Sequence, residues 1–321
     1  MIEKILLISH HHDKFGGKSM VDIKEIKSIE IVPYTLMTSS VSAVWAFIYA
    51  IFTVILGLIP FVISPTPANS GVFWFYIASI VSSPVSSFVL GVLQSFLFAL
   101  IYNLLVPKLG GIKLGLEDLS KIKSIPVMPF ALITSTISAI FVLIIALIVM
   151  PLVAAYIPTV TQLISSIPLN GTRIPTESIS AFGTFGVIGS ILSIIILPII
   201  TFIIVFIVNA IIAALYNLIA PKIGGIKLEF AENPGNVYEI LSIAPVQLAL
   251  ITAIIAAICG IIIGIIALII SAAYGMVIVG VMFLAGFTIG LVVGSFIVYA
   301  IIALIYNFLR PKIGGIKLEL Q

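Results

Sequence analysis

The groups able to do chemistry are few in this 321-residue chain, and they are poorly placed for it. His10, His11 and His12 are its only histidines. A histidine tract is a metal-binding composition, but no other histidine completes a site, and the triplet reads as part of a solvated polar tail. Cys259, the single cysteine, sits in an apolar run; it excludes an intrachain disulfide and a thiolate metal cluster. Gln94, Gln247 and scattered Ser and Thr offer amides and hydroxyls but no base to activate a nucleophile. Gly-Gly pairs at 110–111, 224–225 and 314–315 have the composition of a phosphate-cradling loop. That use needs a helix N-terminus behind the glycines, and here an alternating, strand-like pattern follows. Two polar triads, Asn103/Asn217/Asn307 and Ser40/Thr136/Thr252, could line a path for a neutral solute. Asn170-Gly171-Thr172 is a glycosylation sequon. No cluster of His, Cys or carboxylate could hold haem, a metal or an acid–base pair. The expectation is therefore no catalytic residue, no cofactor, no metal and no enzymatic activity.

The elements that would position these residues are dominated by lipid chemistry. Hydrophobic residues make up 61% of the chain and charged residues only 8%, against about 25% charged in a soluble domain. So few charges cannot cover a globular surface. Six apolar segments follow the polar start: 34–63, 73–105, 127–153, 184–219, 246–273 and 276–308. Each exceeds the roughly 20 residues that cross a bilayer as a helix, and none contains Asp, Glu, Lys, Arg or His. The even-numbered segments are long enough to tilt, kink or project, with Pro198 expected to kink the fourth and Pro84 to lie in the first turns of the second. Fourteen of the fifteen basic residues fall in the N-terminal tail, between segments two and three, between four and five, or after six; only Arg173 lies opposite. The positive-inside rule then puts both termini in the cytoplasm of a cell-membrane protein. The net charge of +3, without a basic run interleaved with aromatics, argues against nucleic acid.

One phrase occurs three times: YNLLVPKLGGIKLGLED at 102–118, YNLIAPKIGGIKLEFAE at 216–232 and YNFLRPKIGGIKLEL at 306–320. It divides the chain into a polar tail (1–23) and three two-span modules (24–118, 119–234, 235–321). Module starts also resemble one another, at Ile26-Lys27-Ser28-Ile29, Ile122-Lys123-Ser124-Ile125 and Ile240-Leu241-Ser242-Ile243, each followed by Pro33, Pro129 or Pro245. Two crossings per module give parallel repeats and a pseudo-threefold bundle. Tyr102, Tyr216 and Tyr306 suit the headgroup level, with a wet hydroxyl. Asn103, Asn217 and Asn307 can bond freed carbonyls or a neighbouring module. Pro107, Pro221 and Pro311 are expected to stop the helices, and Gly110-Gly111, Gly224-Gly225 and Gly314-Gly315 to turn the chain at positive φ. A short strand should follow each even helix and pair with the segment before an odd helix, such as 26–32 or 121–127. Small-residue stripes at Gly286/Gly290/Gly294 and Ser83/Ser87/Gly91/Ser95 are expected to pack helices closely.

The Tyr-Asn … Gly-Gly-Ile signature and the early proline of each first span resemble three tandem copies of an uncharacterised actinobacterial family of two-span membrane proteins, a transmembrane domain of unknown function. That resemblance implies a module fold and no established activity. The fold expected is an all-α polytopic membrane protein: six transmembrane helices as three parallel two-helix repeats, with short cytoplasmic strands. Its expected role is structural, in assembly, or regulatory within the cell envelope or a larger membrane complex. The partners would be membrane lipids and another membrane protein or a further copy of itself. The alternative is a channel or facilitator for a small neutral solute, or a lipid-binding module, along the pseudo-threefold axis.

Overall fold

The computed structural model describes residues 21–64, 67–166 and 176–321. His10, His11, His12, Asn170 and Arg173 lie outside the described residues. The element order is strand–helix–helix–strand, three times over: β1 (Val21–Ile29), α1 (Ile31–Ile63), α2 (Pro67–Leu109), β2 (Lys113–Glu117); β3 (Lys121–Ser124), α3 (Val127–Ser166), α4 (Thr176–Ile223), β4 (Ile226–Asn233); β5 (Val237–Ile243), α5 (Pro245–Ala273), α6 (Val277–Ile313), β6 (Lys317–Leu320). The chain is thus mostly helical but not all-α. Strands precede the odd-numbered helices as well as following the even ones, and β1 begins inside the stretch expected to be tail.

All six helices are long and apolar enough to span a membrane. They outrun the hydrophobic segments at one or both ends. The stretch 154–183 between the third and fourth hydrophobic segments is largely helix, because α3 continues to Ser166 and α4 starts at Thr176. Pro84 lies well inside α2. At 48 residues, α4 measures about 72 Å at 1.5 Å per residue, more than twice the roughly 30 Å hydrocarbon core. Most of the helical surface is exposed apolar side chain, as at Leu90, Ile195 and Ile269. In lipid this is a matched surface, and the helices satisfy their own backbone groups.

The strands form one closed barrel in chain order, β1-β2-β3-β4-β5-β6, antiparallel throughout, with β6 returning to β1. Strands this short would each be marginal alone; closure leaves no edge unpaired. Within a module the first and last strands pair: Val21 opposite Glu117 through Glu25 opposite Lys113, Ile122 opposite Ile226, and Val237 opposite Glu319 through Glu239 opposite Lys317. Between modules they join as hairpins, β2–β3 and β4–β5. The main core lies where barrel meets helix. Ile26, Ile29, Leu116, Ile240, Leu318 and Leu320 from the strands pack with Met37, Ile101, Tyr102, Val106, Ile133, Ile137 and Tyr306 from the helices. That cluster draws on all three modules.

Each helix pairs chiefly with its hairpin mate; neighbouring hairpins touch through α2 and α3, α4 and α5, and α6 and α1. Small residues bring the backbones together, though not all those expected. A Cβ added at Gly264 would stand 2.7 Å from Leu284 Cα, and one at Gly280 2.9 Å from Leu268 Cα. Gly91 lies against Ser39, and Ser95 is buried. By contrast Gly286, Gly290 and Gly294 have nothing within 4 Å of an added Cβ. The expected packing role of that stripe is overturned by helical phase: Gly280, Leu284 and Thr288 face α5, and a residue two places on from Leu284 points about 200° away at 3.6 residues per turn. Gly264→Val should therefore destabilise the third hairpin by about 1–3 kcal/mol, while Gly290→Ala should leave the thermal unfolding midpoint in detergent unchanged or slightly raised.

Candidate functional site: three tyrosine-asparagine corners

The residues of the repeated phrase converge at the junction of helix and barrel. In the first module the Tyr102 hydroxyl donates to the Ile26 carbonyl at 2.7 Å and accepts from the Ile112 amide at 2.9 Å. Beside it the Ile26 amide donates to the Ile112 carbonyl at 2.9 Å. The hydroxyl thus stands between β1 and the start of β2 where their backbones diverge, in place of one rung of the ladder. Tyr216 bridges the Ile122 carbonyl and the Ile226 amide. Tyr306 bridges the Ile240 carbonyl at 2.8 Å and the Ile316 amide at 3.0 Å.

The neighbouring asparagines act three residues further on, at the end of the first strand. Asn103 Oδ1 accepts from the Ile29 amide and Nδ2 donates to the Ile29 carbonyl, both at 2.9 Å. Asn217 makes the same pair with Ile125 at 2.7 and 2.8 Å, and Asn307 with Ile243 at 2.9 and 2.8 Å. These isoleucines sit where strand becomes helix, and Glu30 and Ala244, the N-cap residues of α1 and α5, make no side-chain cap bond. The primary amide supplies one donor and one acceptor in the spacing of a peptide group, so a side chain from the second helix does the work of a neighbouring strand.

Three expectations change here. Tyr102, Tyr216 and Tyr306 are 0%, 3% and 3% exposed, so they are buried latches and not headgroup anchors with wet hydroxyls; the ring enters the core and the hydroxyl finds backbone partners there. Pro107, Pro221 and Pro311 do not stop the helices, which run on to Leu109, Ile223 and Ile313. A proline in a last turn removes only one intrahelical donor. Termination falls to Gly110, Gly224 and Gly314, whose amides reach back four residues to Val106, Ala220 and Arg310 and whose φ values are 79°, 101° and 83°, the left-handed exit that glycine favours. The second glycine serves closeness instead: a Cβ on Gly111, Gly225 or Gly315 would stand 2.1–2.2 Å from the carbonyl oxygen of Ile26, Ile122 or Ile240. Of these only Gly225 has positive φ.

The hydroxyl triad is also re-registered. Counted nine residues on from Ile29, Ile125 and Ile243, the equivalent positions are Thr38, Thr134 and Thr252. Each donates to the carbonyl four residues back, at 2.7, 2.6 and 2.8 Å. Ser40 and Thr136 lie elsewhere on the helix. Alignment on proline misled, because Pro245 is the first residue of α5 whereas Pro33 and Pro129 are third in α1 and α3. One intramembrane contact had not been anticipated: Asn209 Nδ2 donates to Thr134 Oγ1 at 2.9 Å. Its signal was available, since Asn209 is the only Asn in the apolar run 184–215. In the first module the matching region is a cleft of about 220 Å³ lined by Tyr34, Thr38, Ser42, Gly91, Gln94, Ser95 and Phe98.

Carboxylates tie two of the corners. Glu25 Oε1 accepts from the Gly111 amide at 2.7 Å and pairs with Lys27 at 3.0 Å. Glu239 Oε1 accepts from the Gly315 amide at 2.9 Å and pairs with Arg310 at 3.2 Å. Donation by Gly111, aided by Lys27 and Lys113, holds the Glu25 carboxyl below its ordinary value despite partial burial. No group of three or more His, Cys, Asp or Glu with metal-holding geometry occurs among the described residues.

Six apolar spans define the chain as a multi-pass membrane protein. A family model described as a transmembrane domain of unknown function (DUF3566) matches residues 117–232, from the end of β2 through α3 and α4 into β4. No curated protein and no solved structure gives a significant match to the chain.

The corners generate two predictions. Asn103→Ala orphans the amide and carbonyl of Ile29 and should cost about 2–6 kcal/mol, at roughly 1–3 kcal/mol per buried unpaired group; Tyr102→Phe, which keeps the ring but orphans the Ile26 carbonyl and the Ile112 amide, should also lower the unfolding midpoint. Because the folded-state carboxyl of Glu25 titrates low, its contribution is present above the ordinary carboxylate value and is lost as pH falls through the folded value. Glu25→Gln should therefore flatten the fall of the unfolding midpoint as pH drops below the ordinary carboxylate value.

Proposed function

We propose that this chain is a non-enzymatic scaffold: a structural, assembly or regulatory component of the cell envelope or of a larger membrane complex. The observation that carries the reading is where the polar groups of the repeated phrase go. The tyrosine hydroxyls and both amide atoms of each asparagine are bonded to the chain's own backbone. Side chains with the chemistry to bind a substrate instead fasten a barrel to three hairpins.

In this reading the three strand–helix–helix–strand units are parallel repeats about a common axis, a trimer fused into one polypeptide. The repetition of the same bonds at 102–103, 216–217 and 306–307 supports it. The barrel faces the cytoplasm, because every basic residue described lies on its strands or on the last turn of an even-numbered helix. The apolar flanks of α1–α6 face lipid and a membrane-protein partner or a further copy. The channel alternative is less well supported, since Asn103, Asn217 and Asn307 are already spent as latches.

Purification from native membranes in mild detergent should recover one membrane protein, or a homo-oligomer, in fixed stoichiometry. Liposomes holding the purified chain should pass water-sized and glycerol-sized neutral solutes no faster than empty ones. Rapid flux without a stoichiometric partner would replace this reading with the channel. Labelling of single cysteines placed at Lys108, Lys222 and Lys312 in sealed inverted vesicles should succeed at all three; protection of one alone would break the parallel arrangement.

A further inference from the structure

The three corners are alike in backbone and unlike in charge. Across the ladder, Glu25 stands opposite Lys113 and Glu239 opposite Lys317. In the second module the same register sets Lys121 opposite Lys227. Two corners therefore hold an opposite-charge pair where the third holds two ammonium groups, a destabilising arrangement for directly facing residues.

The hydrogen bonding differs in step. Gly111 and Gly315 donate their amides to Glu25 and Glu239. Gly225, the equivalent glycine, is buried, and its amide has no acceptor among the described residues. Where its counterparts meet a carboxylate, the chain places Lys121, itself a donor. Gly225 alone of the three also takes φ +76°.

The other cations of this corner have counterparts: Lys123, whose Cδ is 3.5 Å from where a Cβ on Gly225 would stand, matches Lys27, and Lys222 in the last turn of α4 matches Lys108 and Lys312; the charge that sets the corner apart is Lys121. Glu117 answers part of it, pairing with Lys121 at 3.3 Å and Lys123 at 3.0 Å. Lys222 and Lys227 are exposed and have no ion pair among the described residues. One carboxylate thus answers two of the four ammonium groups, which leaves Lys222, Lys227 and the Gly225 amide. The carbonyl end of α4 disfavours an anion, but Glu25 and Glu239 hold carboxylates against the corresponding ends of α2 and α6.

We propose that the second corner binds a phosphate-bearing anion, which takes the place of the carboxylate that the other two corners supply internally. The anion accepts from the Gly225 amide and is neutralised by Lys121, Lys227 and Lys222, with Lys123 beside it. A phosphate oxygen meets an N–H donor as the carboxylate does and has further oxygens for the ammonium groups. Two sources share this chemistry: the headgroup of an anionic phospholipid, within reach of Lys222 at the end of a spanning helix, and a soluble phosphate. The proposal does not depend on the scaffold role.

The test uses the full chain in zwitterionic nanodiscs, with the unfolding midpoint as readout. One arm adds inorganic phosphate against chloride at constant ionic strength; the other replaces part of the phosphatidylcholine with phosphatidylglycerol in phosphate-free buffer. An anion that binds the folded state raises the midpoint with its concentration. The wild type should respond in at least one arm, and the responding arm identifies the source. Lys121→Glu supplies at this corner the carboxylate that the other two hold, at the cost of facing Glu117; it should weaken the response about tenfold or more. Lys227→Gln, which relieves the facing charges without supplying a carboxylate, should weaken the response less. The proposal is overturned if the wild type responds in neither arm, or if Lys121→Glu responds as the wild type does.

Discussion

The structure depends on satisfying backbone polarity at a place where neither sheet nor helix can do it. At each corner the chain leaves a barrel strand, enters a spanning helix, and later returns from a second helix into the next strand. The amides and carbonyls at those transitions lie in a largely apolar core, where an unpaired group costs about 1–3 kcal/mol. One tyrosine hydroxyl and one asparagine amide answer four such groups per corner. This couples the two layers: the barrel cannot keep its register unless the second helix presents its Tyr-Asn pair at the right height, and that helix is held at that height by the barrel.

The constraint explains why so short a phrase recurs whole. The tyrosine fixes the second helix against the first strand. The first glycine ends the helix, and the second lets the returning chain pass against an isoleucine carbonyl at a distance that excludes any Cβ. The stretch between Tyr-Asn and Gly-Gly spans less than two helical turns, so the latch and the exit share one rigid element. On the lipid-facing sides of the hairpins the side chains need only be apolar, whereas contact positions such as Gly264 and Gly280 must stay small.

Much of this was legible in the sequence and some was not, for definable reasons. The six helices could be read because uninterrupted apolar length has few other meanings. The ends of α3 and α4 could not, since residues near 154–166 are less hydrophobic than a span yet still helical. Tyrosine at the end of an apolar helix has two physical uses, interfacial anchor and buried latch, and only the position of the strands decides between them. Barrel closure was hidden for a similar reason. The alternation at Ile226–Phe230 marks a strand but does not name its neighbour, and the pairing of Ile26 with Leu320 joins residues at opposite ends of the described chain. The outward phase of Gly286, Gly290 and Gly294 escaped notice because spacing tells which residues share a face, not what that face meets.

The barrel's closing seam has a consequence for biogenesis. β1 is made before the other five strands and β6 after them, and Glu25 and Gln321 exchange both backbone hydrogen bonds across the seam, at 2.7 and 3.0 Å. While the chain is being translated, β1 can pair on one side with β2, but its other side must wait for β6 to emerge. Until then the nascent protein carries an open sheet edge beside the bilayer, the condition in which strands pair wrongly or with other chains. A polypeptide that joins its modules in tandem thus avoids having to find separate subunits but acquires a delay, and any factor that shields β1 during that interval would act before the molecule has closed.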